Sequence, residues 1–233
     1  MKLVIAAFCI SCAWGQLDRP SLGTMVDSSG AARPIIGLPG TISVGDPVAT
    51  GVLSSACSKQ LCVLKTATSI LIQGASIAAP PGPALFAFSN QGVYAFFPQS
   101  KQLVLLLNGQ LTPVDFDIAG EILSIRAVSG AVEFAVRRQG GISIVRTGNA
   151  VVDALPPDAG SVLLLDQSVV FTTRDAVVLL RPDASSVRFP LPHATSLAQL
   201  SPSYVQIRTR GLLYALRVDP GREQLFLLPE PVQ

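Results

Sequence analysis

The chain has 233 residues, of which 49% are hydrophobic and 14% charged, and a formal net charge of +2. That balance excludes a disordered chain, since enough apolar side chains are present to build a sizeable core. Near-neutral charge also excludes a general pull towards nucleic acid or an acidic membrane surface.

Residues 1–15, "MKLVIAAFCISCAWG", put one lysine, Lys2, ahead of an unbroken apolar stretch, with small Ala13 and Gly15 flanking a cut before Gln16. This is the pattern of a secretory signal peptide, cleaved near Gly15/Gln16, and it implies a secreted or periplasmic chain. Acylation at Cys12 is the less favoured alternative, because Cys9 stands where a lipoprotein leader usually has leucine. No other stretch approaches the ~20 apolar residues of a membrane helix. Residues 16–233 are expected to form a single domain.

Next comes "TMVDSSGAARPIIGLPG", an apolar run, an Asp turn, a basic residue, then a second apolar run: a hairpin over 23–38. From there almost nothing has helical period. Short runs of Val, Ile, Leu and Phe recur, split by Gly, Pro, Asn, Asp and Ser. In "YVQIRTR", Val205, Ile207 and Thr209 face one way and Gln206, Arg208 and Arg210 the other, as in a half-buried strand.

Three segments superpose: "VEFAVRRQGGISIVRTG", "VVFTTRDAVVLLRPD" and "YVQIRTRGLLYALRVD". Each is a strand ending in Arg, a turn, and a second strand ending in Arg. "QLCVLKTATSILIQG" and "GVYAFFPQSKQLVLLLNG" are looser copies. Apolar runs before and after each pair complete four strands, designated a to d, with a period of about 37 residues. Repeats are counted at about 42–80, 82–118, 121–158, 160–192 and 195–230. Four antiparallel strands per repeat of ~40 residues is a propeller blade. Such a sheet buries both faces only by packing against neighbours, which accounts for continuous runs such as "SVLLL" and "LVLLL".

The expected class is therefore all-β, a β-propeller of about five four-stranded blades with a possible partial sixth. The N-terminal hairpin, read as a c–d half-blade, closes the ring or caps the last blade, the cap being favoured. An irregular β-sandwich and a β-solenoid are the alternatives. The segment "SSACSKQLCVLKTATSILIQG" and the Ser201-Pro202 of "LSPSYVQIRTRG" resemble the a–b turn of secreted and periplasmic bacterial propellers, broadly TolB-like and YVTN-type. The likeness covers residues ~42 to 230 with degraded motifs; there is no Trp-Asp pair, so the WD40 signature is missing. It implies a fold and no particular function.

Cys57 and Cys62 flank "SKQL" and are expected to form one disulfide across the first a–b turn. With no Gly-x-Ser-x-Gly elbow, no phosphate-cradling loop and one His, no catalytic constellation, metal site or cofactor is expected. If a runs up, b–c turns and d–a crossovers share one face of the ring. Arg137, Arg138, Arg174, Arg208 and Arg210 fall at b–c turns of three successive repeats and would form a basic crescent. Asp117, Glu121, Asp158 and His193, in the crossovers, would stand on the same face. Arg146, Arg181 and Arg217 would stand on the other, offset in part by Asp183 and Asp219.

Turns gather charge because they are wet, and repeats copy their turns. The functional alternative is an anion-recognising face, favoured by the guanidinium fork. The sequence thus reads as an exported, non-catalytic binding or scaffold propeller. It is expected to recognise an anionic peptide, glycan or lipid headgroup through one loop face, its partner being an unknown protein, peptide or envelope glycan. A propeller hydrolase or lyase with a cation in the channel is the alternative. So is a structural envelope protein. The apolar, small "VATGVLSS", "ALFAFS" and "SLAQLS" of the innermost strands count against the enzyme.

Overall fold

The computed structural model describes residues 21–37, 41–148 and 150–229. The expected leader over 1–15, with Cys9, Cys12 and the cut at Gln16, lies outside the described residues, as does residue 38 of the hairpin. The described residues form six antiparallel sheets. Sheet 1 holds β1 (Ser21–Val26), β2 (Ala32–Ile36) and β3 (Ser43–Val44). Sheet 2 holds β4 (Ser54–Cys57), β5 (Cys62–Lys65), β6 (Ser69–Ile72) and β7 (Ala75–Ala78). Sheet 3 holds β8 (Leu85–Ser89), β9 (Gly92–Phe97), β10 (Gln102–Leu107) and β11 (Gln110–Val114). Sheet 4 holds β12 (Glu121–Val128), β13 (Ala131–Arg138), β14 (Gly141–Arg146) and β15 (Ala150–Ala154). Sheet 5 holds β16 (Val162–Leu164), β17 (Val169–Thr172), β18 (Ala176–Leu180) and β19 (Ser186–Pro190). Sheet 6 holds β20 (Ser196–Ser201), β21 (Tyr204–Arg208), β22 (Leu213–Arg217) and β23 (Gln224–Leu228).

Each sheet pairs its strands in chain order, and the first strands of sheets 2 to 6 line one central cavity. This is a β-propeller of six blades. Its second strands, such as β9 and β17, are apolar because they are buried on both faces, whereas outer strands such as β15 are exposed. Along β9, Val93, Ala95 and Phe97 pack against sheet 2, while Tyr94 and Phe96 pack against sheet 4. Along β17, Val169 and Phe171 turn to sheet 4 and Val170 to sheet 6. Period two therefore distributes each strand between two seams. No helix among the described residues is long and apolar enough to cross a membrane.

The N-terminal hairpin corrects the expected architecture. β1 and β2 do not cap β23, the outermost strand of sheet 6; with β3 they make a sheet of their own. Ser21 and Gly23 lie beside the Cys57–Cys62 turn and Ser201–Tyr204. At the other end of β1, Val26 and Asp27 lie beside Leu53, Ala84 and Arg208. β1 thus runs from the a–b face to the crossover face, the direction of strand b. β1, β2 and β3 stand as b, c and d, and the hairpin is a b–c unit, not a c–d one. A sixth blade of three strands joins the expected five, the partial sixth left open by the repeat count, because this sheet has neighbours on both sides. Leu22, Met25 and Ile35 pack with Leu200, Leu213 and Leu228 of sheet 6, and Ala32 packs with Val52 and Leu64 of sheet 2. The last seam is the thinnest. There Cys57 and Cys62, opposite one another on β4 and β5, are joined by a disulfide, and Thr24 Oγ1 meets Cys62 Sγ at 3.5 Å.

Candidate functional site

Within each four-stranded sheet the strands alternate in direction, so the b–c turns and the d–a crossovers come to one face of the ring. The expected arginines divide there by what they touch. Arg137, at the end of β13, gives Nη1 to Glu121 Oε2 at 3.0 Å and Nη2 to the Gly160 carbonyl at 3.0 Å. It is neutralised locally and ties sheet 4 to sheet 5. Arg138 Nε donates to the Ala119 carbonyl at 3.0 Å. Arg208 Nη2 donates to the Val26 carbonyl at 3.4 Å, across the seam between sheets 6 and 1. A carbonyl oxygen accepts a hydrogen bond without cancelling the guanidinium charge. Arg174 and Arg210 are exposed and have no side-chain partner among the described residues.

Of the residues expected beside them, Glu121 is the partner of Arg137. Asp117, Asp158 and His193 are exposed and have no side-chain partner among the described residues. Asp175, next to Arg174, is taken by Arg188 at 2.6 Å. Asp46, Asp115, Asp117 and Asp158 in the crossovers give the face mixed charge. Its basic groups are separate guanidinium forks among carboxylates, not a broad field of one sign.

The opposite face behaves differently. Arg146 Nη2 reaches Glu133 Oε1 at 2.6 Å, and Arg126 Nη2 reaches Oε2 of the same carboxylate at 2.7 Å. Glu133 is only 1% exposed. Burial alone would raise its pKa, but hydrogen bonds and charge from Arg146 and Arg126 bring it below the usual carboxylate value. Arg217 pairs with Asp219 at 2.7 Å as expected. Arg181 pairs with Glu223 of the next sheet, while Asp183 accepts from Ser185 N and Oγ at 2.9 and 2.6 Å. Every strand-c arginine thus has a carboxylate; of the five b–c arginines only Arg137 has one.

Two basic residues at the same repeat position escaped sequence reasoning. Lys101, in the β9–β10 turn, is exposed on the crescent face with no side-chain partner among the described residues. The available signal was its place after strand b in a looser copy of the repeat. Lys65, ending β5, is fully buried and so withdrawn from that face. Its Nζ donates to the carbonyls of Thr66 and Ala67 at 2.7 and 3.2 Å and stands 5.9 Å from the Phe97 ring centroid. Burial lowers its pKa.

At the centre of the same face lies a cavity of about 510 Å³. Its walls are the first strands of sheets 2 to 6 and, from sheet 1, Val26, Asp27, Ser28 and Gly30. Asp27 is tied internally. Its Oδ1 accepts from Ser29 N, Ser29 Oγ and Ala31 N at 2.9, 2.6 and 3.0 Å, and its Oδ2 from Arg33 Nε at 2.8 Å. Burial opposes its charge, but these donors hold the pKa down to about 2. Arg208 is the other charged side chain on the wall.

No protein-family model matches the chain, and no curated protein matches it in sequence. Solved structures match by shape. PorZ, a surface component of the type-IX secretion system of Porphyromonas gingivalis, superposes with a TM-score of 0.54 at 12% identity, over 88% of this chain and 30% of its own. A chain of a nidogen/laminin complex superposes with a TM-score of 0.56 at 11% identity, over 88% and 91%. The Neurospora crassa Pan2 WD40 domain gives 0.50 at 10% identity, over 91% and 80%. The chain thus spans less than a third of PorZ. At these identities the likeness shows the propeller fold alone.

Proposed function

We propose that the protein is an exported, non-catalytic binding or scaffold propeller that grips an anionic peptide, glycan or lipid headgroup through its crossover face. Residues 1–15 act as its leader, and kinship with TolB-like or YVTN-type propellers belongs to the same proposal. One observation carries the reading: the strand-c arginines are saturated by carboxylates, whereas Arg174 and Arg210 reach solvent unpaired and Arg138 and Arg208 meet only carbonyls. Ion pairs occupy the arginines of the opposite face; the crescent is left with guanidinium forks suited to carboxylates. The leader-like start and the Cys57–Cys62 disulfide support an oxidising compartment.

The test is retention on immobilised poly-glutamate, a uronate polymer and anionic vesicles, compared between the wild type and Arg174→Glu/Arg210→Glu. Neither side chain holds the fold together, so circular dichroism and melting should not change. Retention on one of the three is expected, with loss in the double variant. Equal retention by both proteins overturns the reading.

A further inference from the structure

The central cavity carries this reading further. Several polar groups on its wall are satisfied within the protein. Ser54 Oγ donates to the Ala84 carbonyl at 2.8 Å and accepts from Ala84 N at 3.0 Å, and Ser124 Oγ accepts from Leu164 N at 2.9 Å. Asp27 is held by four donors. Gln206, like Ser28, Ser55, Ser196 and Gln199 on the same wall, is not so held among the described residues. It is 6% exposed, lines the cavity, and has no side-chain hydrogen bond among the described residues. Its carboxamide keeps contact with the solvent of the channel, since no fully buried side-chain N or O among the described residues lacks a partner, and so it stands free to meet a ligand.

Two residues further along β21, on the same side of the strand, stands Arg208. Their partners across the ladder are Ala198 and Ser196 of β20. Arg208 spends one N–H on the Val26 carbonyl at 3.4 Å, and the wall holds no carboxylate free to balance it.

We propose that the channel is a binding site for a small carboxylate carrying a neighbouring amide, with Arg208 taking the carboxylate and Gln206 the amide. Arg208 offers a charge-assisted fork to the two oxygens. Gln206 both donates and accepts, as an amide requires. About 510 Å³ falls in the range of small-molecule sites, and Val162, Leu163 and Phe86 provide apolar wall. The proposal deepens the anion-face reading and rests on it, because Arg208 belongs to the crescent. The same chemistry is presented by a free N-acyl amino acid and by the C-terminus of a peptide.

Titration calorimetry on the whole chain tests it, with N-acetylalanine, N-acetylalaninamide and trialanine as probes. One or both carboxylate probes should bind saturably and the amide should not. Arg208→Gln should weaken binding at least tenfold, Arg208→Lys less, and Gln206→Leu severalfold, with melting checked for each. Binding of N-acetylalanine identifies a free acid as sufficient; binding of trialanine alone identifies a chain terminus. Equal binding of acid and amide, full affinity in Arg208→Gln, or no saturable binding of either carboxylate overturns the site. Arg174→Glu/Arg210→Glu should bind these probes like wild type. Rim failure with channel binding intact sinks the polyanion reading alone, and the reverse outcome sinks the channel site alone.

Discussion

Gly23 of β1 lies against the carbonyl of Leu200 on β20: a Cβ at position 23 would stand 1.8 Å from that oxygen. The glycine also has φ +126°, a conformation other residues rarely adopt. This contact brings the first sheet against the last and closes the ring. Gly23→Ala should therefore push β1 off β20 and expose Leu22 and Met25, at a cost of at least ~2 kcal/mol. Urea unfolding measures it; an unchanged midpoint would mean that closure does not depend on this approach.

The seam on the other side of sheet 1 has a small buried core, Ala32, Val52 and Leu64, next to the Cys57–Cys62 disulfide. Cys57→Ser/Cys62→Ser removes a short cross-link, with an expected loss of about 2 kcal/mol from chain entropy. Reductant should lower the melting temperature of the wild type and leave the double variant unmoved.

Asp27 predicts a pH dependence. Its pKa falls from 3.8 to about 2 on folding, so the charged form is favoured in the native state. The contribution is complete above the unfolded value and disappears as pH drops through 2. Asp27→Asn should lose about 2 kcal/mol at pH 7, and the gap to wild type should narrow between pH 4 and pH 2. A gap constant down to pH 2 would contradict the assignment.

Glu133, buried between Arg126 and Arg146, makes a sharper case. Glu133→Ala leaves two guanidinium groups, one of them mostly buried, without a counter-charge. The expected cost is about 3 kcal/mol, against little change for Arg174→Ala, which has no partner to orphan. Chemical denaturation of the two variants separates a structural arginine network from a free one.

The sequence made most of this fold legible because strands buried on both faces leave a strong periodic trace. β9 shows it best, feeding alternate side chains to two seams. The hairpin's place within the sixth blade was not legible, for a local reason. Asp27 accepts from Ser29 N and Oγ at 2.9 and 2.6 Å. Asp183 accepts from Ser185 at the same two distances. One turn chemistry serves a b–c hairpin in sheet 1 and a c–d hairpin in sheet 5, so the turn carries no record of its place in the blade. That place follows from contacts with β4 and β20, distant in sequence. The site was legible to the same depth. Alternation put Gln206, Arg208 and Arg210 on one side of β21, but which seam they meet depends on how the ring closes. Arg181 looked to Asp183, two residues away, and found Glu223 one repeat later.

The direct test of the face assignment is a ¹⁵N–¹H spectrum of the arginine Nε–Hε groups during titration with poly-glutamate. The crescent reading expects Arg174 and Arg210 to shift first and Arg208 to follow, while Arg146, Arg181 and Arg217, held by carboxylates on the opposite face, stay in place. Shifts confined to those three, or none at saturating peptide, would contradict it.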